Sequence, residues 1–356
     1  MKRTRTMALL AMAAMATATA LTGPAEAFTG AASTAKTRET THTTHTTHTR
    51  NTASGKAVRY AWVASCAKGD YVIPCGSWTL SLRGGKTVKV PEATVYPRGA
   101  DGRPDKESSA PFAVSGDGSR VVYFRRSDHK LVWKDVASGR SHGLPGSSAK
   151  LPKRLGMEDV AATLSHDGDT VVVDYGDASG KLPTLVVHLR SGEVVKLPGK
   201  DDVQGFSPDG RRVLLSRTTA DNTTEFTVYD TDGQAGESRE VPQVVSNNSP
   251  IALADDGVTV GVVIVPTSGR PRLRLYDLST DAVSPAVDLN VPSSESPYRL
   301  DWDESGKLTL WRLRSSDDGT LTRVTASRVD PSDGALKKID SFGVRGRIYT
   351  WWLPGE

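Results

Sequence analysis

Along most of the chain, apolar and polar residues alternate in short runs punctuated by glycine, and no stretch keeps a 3.6-residue apolar period for three turns. Strands are therefore expected almost everywhere and helices almost nowhere. The runs recur in a fixed order. A small residue followed by an apolar one (Ala113-Val114, Thr163-Leu164, Gly205-Phe206, Ala252-Leu253, Asp301-Trp302, Thr350-Trp351) precedes a turn, and a β-branched strand such as Val121-Val122-Tyr123-Phe124 or Thr170-Val171-Val172-Val173 follows it. A third strand comes next, as in Leu131-Val132-Trp133 or Leu273-Arg274-Leu275-Tyr276, and after a further turn a short fourth.

The turn after the first strand carries the repeat. Ser115-Gly116-Asp117-Gly118, Ser165-His166-Asp167-Gly168 and Ser207-Pro208-Asp209-Gly210 are its best copies; Ala254-Asp255-Asp256-Gly257, Asp303-Glu304-Ser305-Gly306 and Trp352-Leu353-Pro354-Gly355 are weaker ones. The last glycines are spaced by 50, 42, 47, 49 and 49 residues. Glycine accepts positive φ and aspartate bonds its own backbone, so each copy reads as a hairpin turn. Four antiparallel strands in that period make one propeller blade, so the fold expected is all-β, a single six-bladed β-propeller over residues 57–356. Residues 57–91 hold only three strands, Val58 to Val63, Trp78 to Leu82 and Thr87 to Val90. The segment 347–353 supplies the missing one, so a C-terminal strand should close the ring and leave no open sheet edge there.

The S-x-D-G marks and the four-strand order resemble the TolB-like (PD40, WD40-like) propeller repeats, which also occur in the propellers of prolyl oligopeptidase-type enzymes. The resemblance spans residues 57–356 and implies a structural role for the turns, so Asp117, Asp167, Asp209 and Asp256 are not expected to be functional. It also implies work in a cell-envelope complex with a protein partner. TolB proteins carry an extra folded domain before the propeller; here a Thr-rich segment stands in its place.

The N-terminus changes the picture of where the protein works. Lys2, Arg3 and Arg5 precede an apolar stretch from Met7 to Leu21, and Ala25-Glu26-Ala27 offers a signal-peptidase site, so residues 1–27 read as a secretory signal peptide. Fifteen residues are too few for a spanning helix, so no integral membrane segment is expected in the mature chain. Residues 28–56 are rich in Thr, Ala and Ser and include His42, His45 and His48 at a period of three. With almost no large apolar side chains, this segment reads as a disordered, solvated spacer. Without the leader the chain has 42 basic and 40 acidic residues, a formal net charge of +2, which implies no nucleic-acid partner. Cys66 and Cys75, nine residues apart across Gly69 and Pro74, are expected to form a disulfide stapling a loop in an oxidising compartment.

No nucleophile elbow, zinc-protease helix, phosphate loop or EF-hand is present, and the histidines outside the leader and spacer fall at dissimilar repeat positions. No cofactor or metal is expected, and an extracytoplasmic, non-catalytic binding or scaffold propeller, monomeric, is the function expected. Its binding face should lie opposite the S-x-D-G turns, where the loops vary most. Two of those loops carry Arg98, Arg103 and Lys106, then Lys150, Lys153 and Arg154, a set suited to an acidic peptide or polymer of the envelope. The alternative is a hydrolase or lactonase-like enzyme with a metal in the channel, for which Asp301, Asp303 and Glu304 form the only inner-strand cluster of acids resembling a ligand set.

Overall fold

In a computed structural model, residues 55–356 are described apart from Ala178, Glu304 and Arg345. The leader and most of the spacer lie outside the described residues. Six antiparallel sheets are arranged as blades, numbered here in chain order from the one that holds the first strand. Blade 1 pairs Ile348–Trp352, Val58–Lys68, Tyr71–Leu82 and Thr87–Val90 in that order. Blade 2 is Phe112–Val114, Arg120–Phe124, Leu131–Asp135 and Ser141–Gly143, and blade 3 is Val160–Leu164, Thr170–Tyr175, Thr184–His188 and Val194–Leu197. Blade 4 runs from Asp202–Phe206 to Ala235–Val241, blade 5 from Ile251–Leu253 outwards, and blade 6 from Ser296–Trp302 to Leu336–Gly343. Among the described residues the only α-helical turn is Gln243–Ser246.

The strand alternation explains the ring. Successive side chains on a strand point to opposite faces, so each second strand feeds two seams. Val121 and Tyr123 pack against blade 1 with Trp78 and Leu80, whereas Val122 and Phe124 pack against blade 3 with Leu164 and Val171. Val172 faces Val213 and Leu215 of blade 4, whose Leu214 turns the other way to Leu253 and Val260 of blade 5. Val263 meets Leu300 and Leu310 of blade 6, and Trp311 meets Tyr60 and Leu353 of blade 1. No blade could bury both of its faces alone, so the ring is stable only when closed.

The closing strand is where the sequence placed it: Trp351 pairs Trp62 and Thr350 pairs Val63. The turn after it ends in Gly355 at φ +89°, matching Gly118 (+73°), Gly168 and Gly210 (both +69°). In the three best copies the serine hydroxyl, fully buried or nearly so, donates to the aspartate Oδ1 (Ser115 to Asp117, 2.6 Å; Ser165 to Asp167, 2.7 Å; Ser207 to Asp209, 2.6 Å). The serine Oγ also accepts the N–H five residues after the serine, and the aspartate Oδ1 accepts the N–H two residues after the aspartate. The aspartates are thus consumed by the turn.

The turns also bond to one another around the ring. Asp117 N–H donates to His166 O (2.8 Å), and Arg120 reaches Gly168 O (2.6 Å) and pairs with Asp169. Arg212 repeats the reach to Asp255 O, and Gly118 O accepts Val58 N–H at 2.8 Å. At Gly118 a Cβ would stand 2.4 Å from Val58 O, so the contact needs glycine for space as well as for φ.

Two expectations are corrected. The segment expected to be a loop between Cys66 and Cys75 is paired strand: Val58–Lys68 and Tyr71–Leu82 run on together to a tight turn at Gly69-Asp70. Strand alternation continues through Tyr71-Val72-Ile73, and Pro74 sits where an edge-like extension needs no further ladder bond. The disulfide therefore staples two paired strands, with Cα atoms 5.8 Å apart. Converting both cysteines to serine is expected to remove roughly 2–3 kcal/mol on the chain-entropy account of so short a loop. A denaturant midpoint unmoved in the double variant, with unchanged slope, would contradict this. The fourth strand of blade 5 is also split, into Ala282–Val283 and Val287–Asp288, because Pro285 has no N–H to give the ladder.

Candidate functional site

Because strands alternate in direction, the S-x-D-G turns share one end of the ring, and the loops joining second to third strands and one blade to the next share the other. On that second end, the stapled hairpin, loop 91–111 and loop 144–159 form one continuous platform. Trp78, fully buried and stacked on Phe112 (4.3 Å between ring centres), donates its indole N–H to Thr94 O at 3.0 Å, and Thr94 N–H donates to Phe124 O at 2.8 Å. The hairpin grips the same loop from outside. Lys68 Nζ and Tyr71 hydroxyl both donate to Glu107 Oε1, at 3.0 and 2.9 Å, and Tyr349 hydroxyl donates to Glu107 O. These bonds hold the Glu107 carboxyl below the usual range, Lys68 first and Tyr71 second.

Arg98 is a strut: its Nε donates to His129 Nε2 at 2.9 Å, its Nη1 to Gly102 O at 2.6 Å, and its backbone oxygen accepts Met157 N–H at 2.7 Å. Met157 is wholly buried in the blade 2–3 core, where Leu151 and Leu155 are half-buried. With those apolar side chains inward, Lys150, Lys153 and Arg154 are left exposed at the tip. Arg154 sits at φ +73°, a left-handed conformation costly for a residue with a Cβ.

The six basic residues expected to form a binding face thus lie on loops that the fold joins, but in different roles. Lys106, Lys150, Lys153 and Arg154 are exposed and, among the described residues, have no ion-pair partner. Arg103 pairs loosely with Asp101 (3.7 Å), and Arg98 is spent on the strut. An acidic group missed by the sequence reading interrupts the basic set. Asp101, Asp105, Asp159 and Glu158 lie close enough that, after partial burial, the other three raise the Glu158 carboxyl. Only the fold brings residues 101–105 beside 158–159, so spacing gave no sign of it. The platform has a cationic pole at 150–154 and an acidic one beside it.

The inner-strand acids of the alternative reading are engaged. Asp301 Oδ1 accepts Arg299 Nε at 2.7 Å and Nη2 at 2.5 Å, and its Oδ2 accepts the Trp311 indole N–H at 2.7 Å. Asp303 caps its own turn and pairs with Arg328 at 2.7 Å. Trp302 belongs to the blade 5–6 core and donates to Ala252 O. Glu304 lies outside the described residues. Among the described residues, no three His, Cys, Asp or Glu side chains stand together as metal ligands would. A cavity of about 540 Å³ runs from the central channel towards the turn end and is lined by Phe206, Leu253 and Trp302, with Arg299, Asp301 and Arg328 among its polar groups. No residue of loops 91–111 or 144–159 lines it. Among the described residues, no helix is long and apolar enough to cross a membrane.

No family model matches the chain, and no curated protein matches it. Among solved structures, TolB from Acinetobacter baumannii is 14% identical over 83% of this chain and 67% of that one, with a TM-score of 0.47. A putative TolB from Agrobacterium tumefaciens is 15% identical over 72% and 86%, with a TM-score of 0.43. The β-propeller domain of the Trilobed protease from Pyrococcus furiosus is 12% identical over 80% of each chain, with a TM-score of 0.44. Likenesses this distant transfer no residue, ligand or activity to this chain; its propeller fold is written in its own six sheets.

Proposed function

We propose that this chain is an extracytoplasmic, non-catalytic binding propeller whose loop platform takes an acidic partner, a protein segment or an anionic envelope polymer, at the Lys150–Lys153–Arg154 tip. One observation carries the reading: three cations without an ion-pair partner among the described residues, one of them, Arg154, in a left-handed backbone, are presented at the tip of a loop whose own apolar residues are anchored in the core. Variable loops on a rigid scaffold are where recognition resides, and unpaired surface cations steer acidic ligands without needing a pocket. The apolar leader and the disulfide support work outside the cytoplasm. The commitment of Asp301 and Asp303 to Arg299, Trp311 and Arg328 supports a role without turnover.

The test is titration with poly-glutamate and, separately, polygalacturonate, which distinguishes a peptide from a sugar polymer. Wild type is expected to bind at least one, more weakly as salt rises. A Lys150→Glu/Lys153→Glu/Arg154→Glu variant is expected to lose about tenfold or more in affinity. Equal affinity in that variant would contradict the reading. So would loss of binding in a folded Asp117→Asn/Asp167→Asn/Asp209→Asn variant.

A further inference from the structure

The cavity lies away from the platform, and one of its walls is polar. In blade 6, register places Asp301, Thr309 and Arg328 in one cross-strand row, and all three line the cavity. Its charges form a short inventory. Asp301 is satisfied by Arg299 and Trp311, and Asp303 by one arm of Arg328. Glu356 accepts Leu353 N–H at 2.6 Å, and its carboxyl is raised by burial, with Arg299 opposing. Two cationic groups remain. Arg328 Nη1 is buried with no hydrogen-bond partner. Arg83, entering from the loop after Tyr71–Leu82 of blade 1, is exposed and has no side-chain partner among the described residues.

An unpartnered guanidinium N–H is a donor that a ligand oxygen can satisfy after a small rotation of the partly exposed Arg328 side chain. Arginine forks match carboxylate and phosphate oxygens. The rest of the wall mixes the apolar Phe206, Leu253 and Trp302 with polar groups such as His166, Gln204 and Ser249, and the cavity is far larger than an inorganic ion requires. We propose that the cavity beside the closing seam binds a small organic anion, its carboxylate or phosphate held by Arg328 and Arg83 and its apolar body by the aromatic wall. This site is independent of the platform.

The experiment is calorimetric titration of the full chain with benzoate, phenyl phosphate, inorganic phosphate and the uncharged benzyl alcohol. Benzoate or phenyl phosphate should bind at one site, and whichever binds identifies the anionic group. Inorganic phosphate and benzyl alcohol should bind at least about tenfold more weakly, since each lacks one half of the recognition. Arg328→Gln is expected to weaken binding about tenfold or more, and Arg83→Ala several-fold, while Arg272→Ala on the outer rim of blade 5 leaves it unchanged. Among the described residues the Arg83 side chain has no other partner, so Arg83→Ala, which keeps its backbone bond to Ala57 O, remains decisive if Arg328→Gln melts early. Absence of binding by both organic anions, or affinity unchanged in Arg83→Ala, overturns the proposal. Inorganic phosphate binding as tightly as phenyl phosphate also overturns it, leaving a plain anion site.

Discussion

Deleting the last ten residues should abolish the folded state. The loss removes the closing strand from Val58–Lys68, along with buried Leu353 and half-buried Tyr349, Trp351 and Trp352. It also removes the clasp to blade 2, in which Gly355 N–H donates to Val114 O at 2.6 Å and Val114 N–H to Glu356 O at 3.0 Å. Truncating a single large buried apolar side chain costs about 3–5 kcal/mol, and domains have only about 5–15 kcal/mol in all. Losing several such side chains therefore exceeds what the ring has to lose. The freed edge of Val58–Lys68 would also template aggregation. Circular dichroism melts and light scattering check this; a soluble truncated protein with the wild-type melting transition would show that the ring closes some other way.

Trp78→Ala carries the second-largest expected effect, about 3–5 kcal/mol from lost packing against Phe112 and Leu80. Trp78→Phe separates the two roles of this side chain. It keeps most of the packing but leaves Thr94 O without its indole donor, for a cost of about 1–3 kcal/mol. Because that bond fixes the start of loop 91–111, the phenylalanine variant should also expose residues 95–110 to limited proteolysis before the blades unfold. Equal stability of wild type and Trp78→Phe, with identical cleavage, would mean the loop is held by the hairpin alone.

How far the sequence reads can be judged residue by residue. The six blades were legible because a tight turn at positive φ admits few residues other than glycine, so Gly118, Gly168, Gly210, Gly257, Gly306 and Gly355 had to keep the period. The hidden serine hydroxyl that makes S-x-D-G a unit became visible only in the hydrogen bonds. The hairpin was misread because Lys68-Gly69-Asp70 and Pro74 carry turn composition while the pairing on either side depends on register. Arg120 and Arg212 look like surface residues at a strand start, yet each reaches a neighbouring blade.

The platform was half legible. Variable loop length pointed to loops 91–111 and 144–158, and both lie where expected. Which cations are spent could not be read, since Arg98 meets His129 and Met157 only through folding. The acidic neighbours and the Arg83–Arg328 cavity join residues far apart in the chain, through cross-strand rows and seams that no linear spacing encodes.

Hydrogen–deuterium exchange with a saturating acidic polymer bound locates the contact on the platform without altering a residue. The account predicts added protection across residues 144–158 and 91–111 and none at the turns ending in Gly118, Gly168 and Gly210. Protection confined to those turns, with both loops exchanging as in the free protein, would contradict it.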